Sequence, residues 1–394
     1  MNRDPIPIPD PVSIGDLEAL ASRASGVVSE LRNRMLLPDA RKSPPTLSSD
    51  KVMSICGLTK GQMTYRVKNG APAGHVAGRG GRREFSLAEA QEWARIERKD
   101  KLRPSGARAV TIGIAFFKGG VTKTTTSMVL AQGLSLLGHR VLNIDLDPQG
   151  SLTTLHGLLP DSDIAEEETL GPLFHGDQSG VAYAIRKTYW EGIDLIPAAS
   201  ALFAAEFALP SRQVRDRGFA FWDVLNKGLE EVRDQYDVII IDTPPSLSYM
   251  TINAFFAADG MIVPMTANML DMASSAQFWN LFSDLASSIS ANQAAPKNYD
   301  FVNILLSRIN NQESTTKAVR EWIQTVYGGK VLPVEIPMTT VASGKVNEFA
   351  TAFDVSKYEG DARTYKRARE AYEALALAVE ESVRMVWARQ TRSA

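Results

Sequence analysis

Phe116-Phe117-Lys118-Gly119-Gly120-Val121-Thr122-Lys123-Thr124-Thr125-Thr126 follows an apolar run at 109–116 and leads into a helical pattern over 123–137. A strand that runs into glycines and then into a helix is the local form of a phosphate-binding loop. Glycines let backbone N–H groups turn inward around phosphate oxygens, a lysine neutralises their charge, a hydroxyl holds Mg²⁺, and the helix N-terminus adds its dipole. All four parts are present. The ordinary pattern GxxxxGK[ST] nevertheless fails twice, with Phe117 at the first glycine and Thr122 at the second. What fits is a deviant form with a second lysine, Lys118, five residues ahead of Lys123. Glycine before the loop lysine tolerates positive φ, whereas a β-branched residue there is strained by ~1–3 kcal/mol. Thr122 therefore either carries strain or sends the backbone along another path.

Outward from this loop, strand-like runs are expected at 109–116, 140–145, 193–197, 237–241, 260–265, 301–307 and 330–334. Helical patterns such as 123–137, 274–285 and 313–326 lie between them. Apolar strands joined by helical crossovers predict an α/β fold with a mostly parallel, doubly wound sheet covered on both faces. Two of the strands end in acids: Asn143-Ile144-Asp145-Leu146-Asp147-Pro148-Gln149-Gly150, and Tyr236-Asp237-Val238-Ile239-Ile240-Ile241-Asp242-Thr243-Pro244-Pro245.

The deviant loop and these two acidic motifs, in this order, resemble the ParA/MinD group of P-loop ATPases over about residues 109–388. The resemblance implies ATP/ADP and Mg²⁺ as cofactors, and roles residue by residue. Lys123 would bind the β and γ phosphates within the cradle of Lys118, Gly119, Gly120, Val121 and Thr122. Thr124 would ligate Mg²⁺, Thr125 would lie by the α phosphate, and Asp242 would reach the metal through water. Lys118 would extend across a nucleotide-sandwich homodimer to the partner's phosphates. Asp147 would orient the attacking water, and Asp145 would couple Mg²⁺ to the switch region. Arg308 and Pro337, after late strands, stand where relatives approach adenine. Phosphoryl transfer is mainly positioning plus charge stabilisation, so such groups suffice chemically.

Upstream, the chain changes character. The whole sequence carries a net charge of −2, yet residues 51–103 hold 12 Lys or Arg against 5 Asp or Glu, a local charge of +7. Such a block is a candidate polyanion-binding module. It reads as helix (51–56), turn at Gly57, and a second helix capped by Thr59 and running to Lys68. A hairpin within 75–85 and a helix opened by the capping box Ser86-Leu87-Ala88-Glu89 follow. The second helix would present Lys60, Gln62, Thr64, Arg66 and Lys68, and the turn Arg79, Arg82 and Arg83, to DNA. The segment resembles the operator-binding domains of MerR-like and partition proteins, and with the preceding helix it is similar to the longer plasmid-type ParA and RepA proteins. Expected boundaries are 1–40 for an N-terminal helix (apolar period over 12–37, packed in cis or paired with a second copy), 41–50 for a linker rich in proline and hydroxyls, 51–103 for a winged helix-turn-helix domain, and 104–394 for the ATPase domain.

Other classes are disfavoured. The chain has 394 residues, 44% hydrophobic and 22% charged, an ordinary globular composition. Its single cysteine, Cys56, precludes an internal disulfide and any four-cysteine metal site within one chain, and fits a reducing cytosol. The same count sets aside the iron-protein and arsenite-pump branches, which need cysteine ligands in this domain. Apolar runs fall far short of the ~20 residues of a membrane span. The four histidines show no metal-ligand spacing and are expected at surfaces or turns. A stripe of Val383, Val386 and Trp387 near the end suits packing on the sheet better than a MinD-like membrane helix, since Glu380 and Glu381 oppose anionic lipid. The resemblance thus implies a cytoplasmic, nucleoid-associated partition ATPase with weak intrinsic turnover stimulated by a ParB-type protein. ATP would drive a dimer holding DNA non-specifically, and the winged domain would repress its own operator. A transcriptional regulator whose DNA affinity is switched by nucleotide is the alternative.

Overall fold

The computed structural model describes residues 12–35, 42–76, 82–290, 297–310, 314–338, 350–355 and 361–392. They fall into two units, Met1–Lys42 and Ser43–Ala394. The first holds one helix, Ile14–Met35, on which Ile14, Leu17, Leu20 and Val27 are exposed.

The second unit contains, among the described residues, strands β1 (Leu47–Ser48), β2 (His75–Val76), β3 (Arg83–Phe85), β4 (Val110–Ile114), β5 (Val141–Asp145), β6 (Arg186–Lys187), β7 (Ile193–Ile196), β8 (Val238–Asp242), β9 (Gly260–Thr266), β10 (Phe301–Ile309) and β11 (Val331–Pro337). The large sheet has the order β11-β10-β9-β4-β8-β5-β7-β6 and is parallel throughout except at the β6 edge. Strands β4, β5 and β8 are buried at every residue, which is why they read as unbroken apolar runs and not as alternating ones. All seven anticipated strands form. The edge strand β6, two residues long, is too short to leave a periodic signal.

The helix Lys123–Leu136 leaves the β4 loop and is buried nearly all round. Against it lies the long helix Ala362–Arg392, so close that a Cβ on Gly133 would come within 2.6 Å of the Ala376 Cβ. Val383, Val386 and Trp387 are at most 1% exposed, so the terminal stripe packs inside the protein. No described helix is long and apolar enough to cross a membrane.

In the basic segment, helices Ser49–Cys56 and Lys60–Lys68 are followed by the β2–β3 pair and the helix Leu87–Glu97. The expected N-cap at Thr59 and capping box of Ser86 with Glu89 are present, and Thr59 forms a capping box as well, with Gln62. The stretch expected as a linker is corrected at its end. Leu47 and Ser48 pair with Phe85 and Glu84 as β1, and Ser48 caps the helix that starts at Ser49 by accepting from Lys51 N. Burial of Leu47 and this cap draw the segment into the small sheet once the two prolines are passed.

A single cluster of buried apolar side chains runs from Phe85 and Trp93 through Leu134 and Leu136 to Val383 and Trp387. The basic segment therefore shares its core with the sheet domain. Its last helix also donates Arg95 Nε to Gly138 O at 3.1 Å and Gln91 Nε2 to Glu191 O. His139 departs from expectation, being 0% exposed and outside a turn, whereas His156 lies at a turn as expected yet is only 3% exposed. His139 is held by Glu380 and His156 faces Asn143, partners that lie far off in sequence or across a loop.

Candidate nucleotide site

Parallel register decides where the acids stand. Asp145 at the end of β5 is the Cα partner of Asp242 at the end of β8, and Asp242 is that of Ile114 at the end of β4. The loop from Ala115 to Thr122 leaves β4 at that same end of the strands, so Lys123, Asp145 and Asp242 converge although they come from three motifs.

In the loop, Gly120 has φ 77° and Thr122 φ 70°, ψ 23°. Thr122 thus occupies the left-handed conformation expected of glycine, and the loop carries the strain in place of a different path. Its Oγ1 is buried without a hydrogen-bond partner among the described residues. Lys123 is 7% exposed and donates from Nζ to Lys118 O at 2.9 Å. Burial pushes its pKa down, against the attraction of Asp242 and Asp147. Gly119 is exposed, Val121 buried, and Thr125 half-buried in the first helical turn.

Asp242 accepts from Ser127 Oγ at 2.9 Å through Oδ1, while Oδ2 is buried with no donor among the described residues. Burial raises its carboxyl to about 6, although the nearby Thr124 and Ser127 hydroxyls and Lys123 favour the ionised form. Asp145, wholly buried, is pushed up to about 8 by burial and then by the charge of Asp242. Its oxygens take Thr153 N and Oγ1, both at 2.8 Å, and Asp147 N at 3.1 Å. Asp145 therefore organises the loop that carries Asp147, whose Oδ1 accepts from Gln149 N at 3.0 Å.

Two adjacent buried carboxyls, one oxygen left without a donor, and a neighbouring threonine hydroxyl form a donor set that suits a hard cation completed by phosphate and water. The described residues contain no cluster of three acidic, His or Cys side chains that would hold a metal by themselves. Mg²⁺ thus fits the residues present as a shared ion of protein and nucleotide.

Lys118, 34% exposed at its side chain, is bound by the buried carboxylate of Asp271. Arg308, at φ 51°, donates from Nη1 to Gly120 O at 3.2 Å. Pro337 is the Cα partner of Ile309, so Arg308 and Pro337, expected after their strands, stand within the last residues of the neighbouring strands β10 and β11. Motif reading missed Asp271, Thr153 and Ser127. Of these only Ser127 left a signal, lying four residues after Lys123 on one helix face.

The proposed DNA residues lie apart from this site. Lys60, Gln62, Thr64, Arg66 and Lys68 are exposed along one short helix, and Arg82 and Arg83 are exposed beside β2. Gln62 is engaged in the Thr59 capping box and Thr64 Oγ1 in a bond to Lys60 O at 2.9 Å. Arg66 pairs with Glu97 at 2.9 Å. Arg79 lies outside the described residues.

The family model AAA_31, described as an AAA domain, matches residues 109–294. A putative replication protein A of Rhizobium rhizogenes is 29% identical over 396 residues, covering 97% of this chain and 98% of that protein. The virulence plasmid ParA family protein pGP5-D of Chlamydia psittaci is 31% identical over 227 residues, 57% of this chain and 80% of that one. Among solved structures, the cobyrinic acid a,c-diamide synthase of Mycobacterium smegmatis with bound ADP and magnesium is 28% identical, with a TM-score of 0.53 over 69% of this chain and 94% of that one. A structure titled Partition Protein has the same fold over 95% of this chain and 98% of its own, with a TM-score of 0.64 at 17% identity.

Proposed function

This chain belongs to the ParA family of plasmid partition ATPases, and we propose that it hydrolyses ATP within a dimer that holds DNA while its own operator is bound by the basic segment. The observation that carries the reading is the register of β4, β8 and β5, which sets Lys123, Asp242 and Asp145 at the C-terminal ends of three central strands beneath a deviant phosphate loop. Lys123 would take the β and γ phosphates, exchanging its bond to Lys118 O for them. Mg²⁺, held by the Thr124 hydroxyl and through water by Asp242, would supply charge neutralisation between the phosphates. Asp147, half-buried on the loop that Asp145 organises, would orient water for in-line attack. Lys118 would leave Asp271 and reach a partner copy's phosphates.

The helix Lys60–Lys68 and the β2–β3 pair would act as a winged helix-turn-helix, with Lys60, Arg66, Lys68, Arg82 and Arg83 on DNA. A ParB-type protein would stimulate turnover, and the protein would act in the cytoplasm on the nucleoid. Lys123→Ala is the test: it should abolish ATP binding and ATP hydrolysis, and cargo DNA should be lost from dividing cells. Normal inheritance of that DNA by cells carrying a variant that still represses would favour the nucleotide-switched regulator instead.

A further inference from the structure

A loop that turns its N–H groups inward toward phosphate must turn carbonyls outward, and each outward carbonyl needs a donor. Two of these carbonyls are held by consecutive residues of one strand end. Ser307, 0% exposed, donates from Oγ to Val121 O at 3.1 Å, with Met265 O at 3.4 Å, and Arg308 Nη1 donates to Gly120 O at 3.2 Å. The backbone is irregular at this point. Pairing of β10 with β9 is regular through Ser307, but the register of β10 with β11 shifts between Leu306 and Ile309, and Arg308 sits in the gap at φ 51°. Such irregularities re-aim a side chain next to a site, and an arginine rarely adopts left-handed backbone without a return. The return here is contact with the phosphate loop.

We propose that Arg308 is a positioning residue for the phosphate loop, which with Ser307 fastens the loop's outer carbonyls and so sets affinity for the polyphosphate, not for the base. This rests on the ATPase reading above. It departs from the expectation that Arg308 approaches adenine, and it assigns the role to a hydrogen bond with the loop backbone and not to contact with the ligand.

The full-length protein, with Arg308→Ala, Arg308→Gly and Ser307→Ala, is titrated by calorimetry with Mg²⁺-ATP and with Mg²⁺-tripolyphosphate, and the Arg308→Ala titration is repeated between about 50 and 200 mM salt. Arg308→Ala should weaken both ligands by the same factor, about tenfold for loss of one charge-assisted hydrogen bond. Ser307→Ala, whose side chain fits the same buried space, should also weaken both equally. Arg308→Gly should bind as weakly as Arg308→Ala yet melt at a higher temperature, because the strain is gone. Loss of ATP affinity with tripolyphosphate unchanged would make Arg308 an adenine contact and overturn the proposal. So would unchanged binding of both ligands, or an Arg308→Ala loss that vanishes between about 50 and 200 mM salt, which would mean direct attraction by charge. Wild-type protein that binds neither ligand would sink the ATPase reading itself, an outcome distinct from these.

Discussion

Arg98 and Glu380 form a buried bidentate ion pair, 3.0 and 2.6 Å, although 282 residues separate them. Each side chain is 5% exposed. Arg98 follows the last helix of the basic segment, and its Nη1 also reaches Leu137 O at 2.7 Å, where the phosphate-loop helix ends. His139 Nε2 lies 2.7 Å from Oε1 of the same carboxylate, the oxygen that also accepts from Arg98 Nη1. The proposed operator module is thus fastened to the far end of the helix that begins at the deviant loop.

Glu380→Ala should therefore cost about 3–5 kcal/mol, since it leaves Arg98 buried and unpaired. Urea unfolding checks this, and the loss should appear in one transition common to the basic segment and the sheet domain. The pH dependence has a definite sign. Burial alone would raise the Glu380 carboxyl, but hydrogen bonds from His139 and Arg98 hold it below its ordinary value. A depressed carboxyl stabilises above its unfolded pKa of about 4.3 and loses that contribution as pH falls through the folded value. Acidification from about pH 5 to 3 should hence destabilise the wild type more than Glu380→Gln. Equal acid sensitivity would show that the pair does not carry this stability.

Thr122→Gly should stabilise the protein by about 1–3 kcal/mol, because it removes left-handed strain from a β-branched residue and a buried hydroxyl without a partner. Under the ATPase reading it should also raise unstimulated turnover, the γ phosphate being better clamped by a relaxed loop. Thermal unfolding and phosphate release measure the two effects separately. A lower melting temperature would mean that Thr122 packs favourably in the loop.

Asp271→Asn should free Lys118 from its carboxylate while still accepting from Thr266 N, which the native side chain does at 3.1 Å. The expected result is a larger ATP-dependent dimer fraction at a given protein concentration, read by sedimentation. Lys118→Ala should show no such gain. If Asp271→Asn leaves the dimer fraction unchanged, the bond to Asp271 does not compete with the bond across the dimer.

Lys60 and Lys68 are exposed cations without an ion-pair partner among the described residues, whereas Arg66 is shared with Glu97. Lys68→Ala should weaken DNA binding about equally for all sequences and lower the salt slope by roughly 1. Arg66→Ala should have the smaller effect, and Glu97→Ala should strengthen binding by releasing Arg66. Anisotropy titrations between about 50 and 200 mM salt separate these cases. An unaltered slope in Lys68→Ala would place the phosphate contacts on other residues.

Local chemistry determined what was legible from the sequence alone: seven apolar strands, the loop with its two lysines, the acids at two strand ends, the caps at Thr59 and Ser86, and the departure from glycine at Thr122. Each is a property of a few consecutive residues whose backbone preferences and periodicity show in the letters. Tertiary structure alone decided that Asp145 stands beside Asp242, that Lys118 is bound by Asp271 and Arg308 by the loop, and that Arg98 meets Glu380 and His139. It also drew Leu47 and Ser48 out of the expected linker. The physical reason is that a buried charge or an outward carbonyl must find a partner wherever packing brings one, and that requirement leaves no periodic mark in either segment.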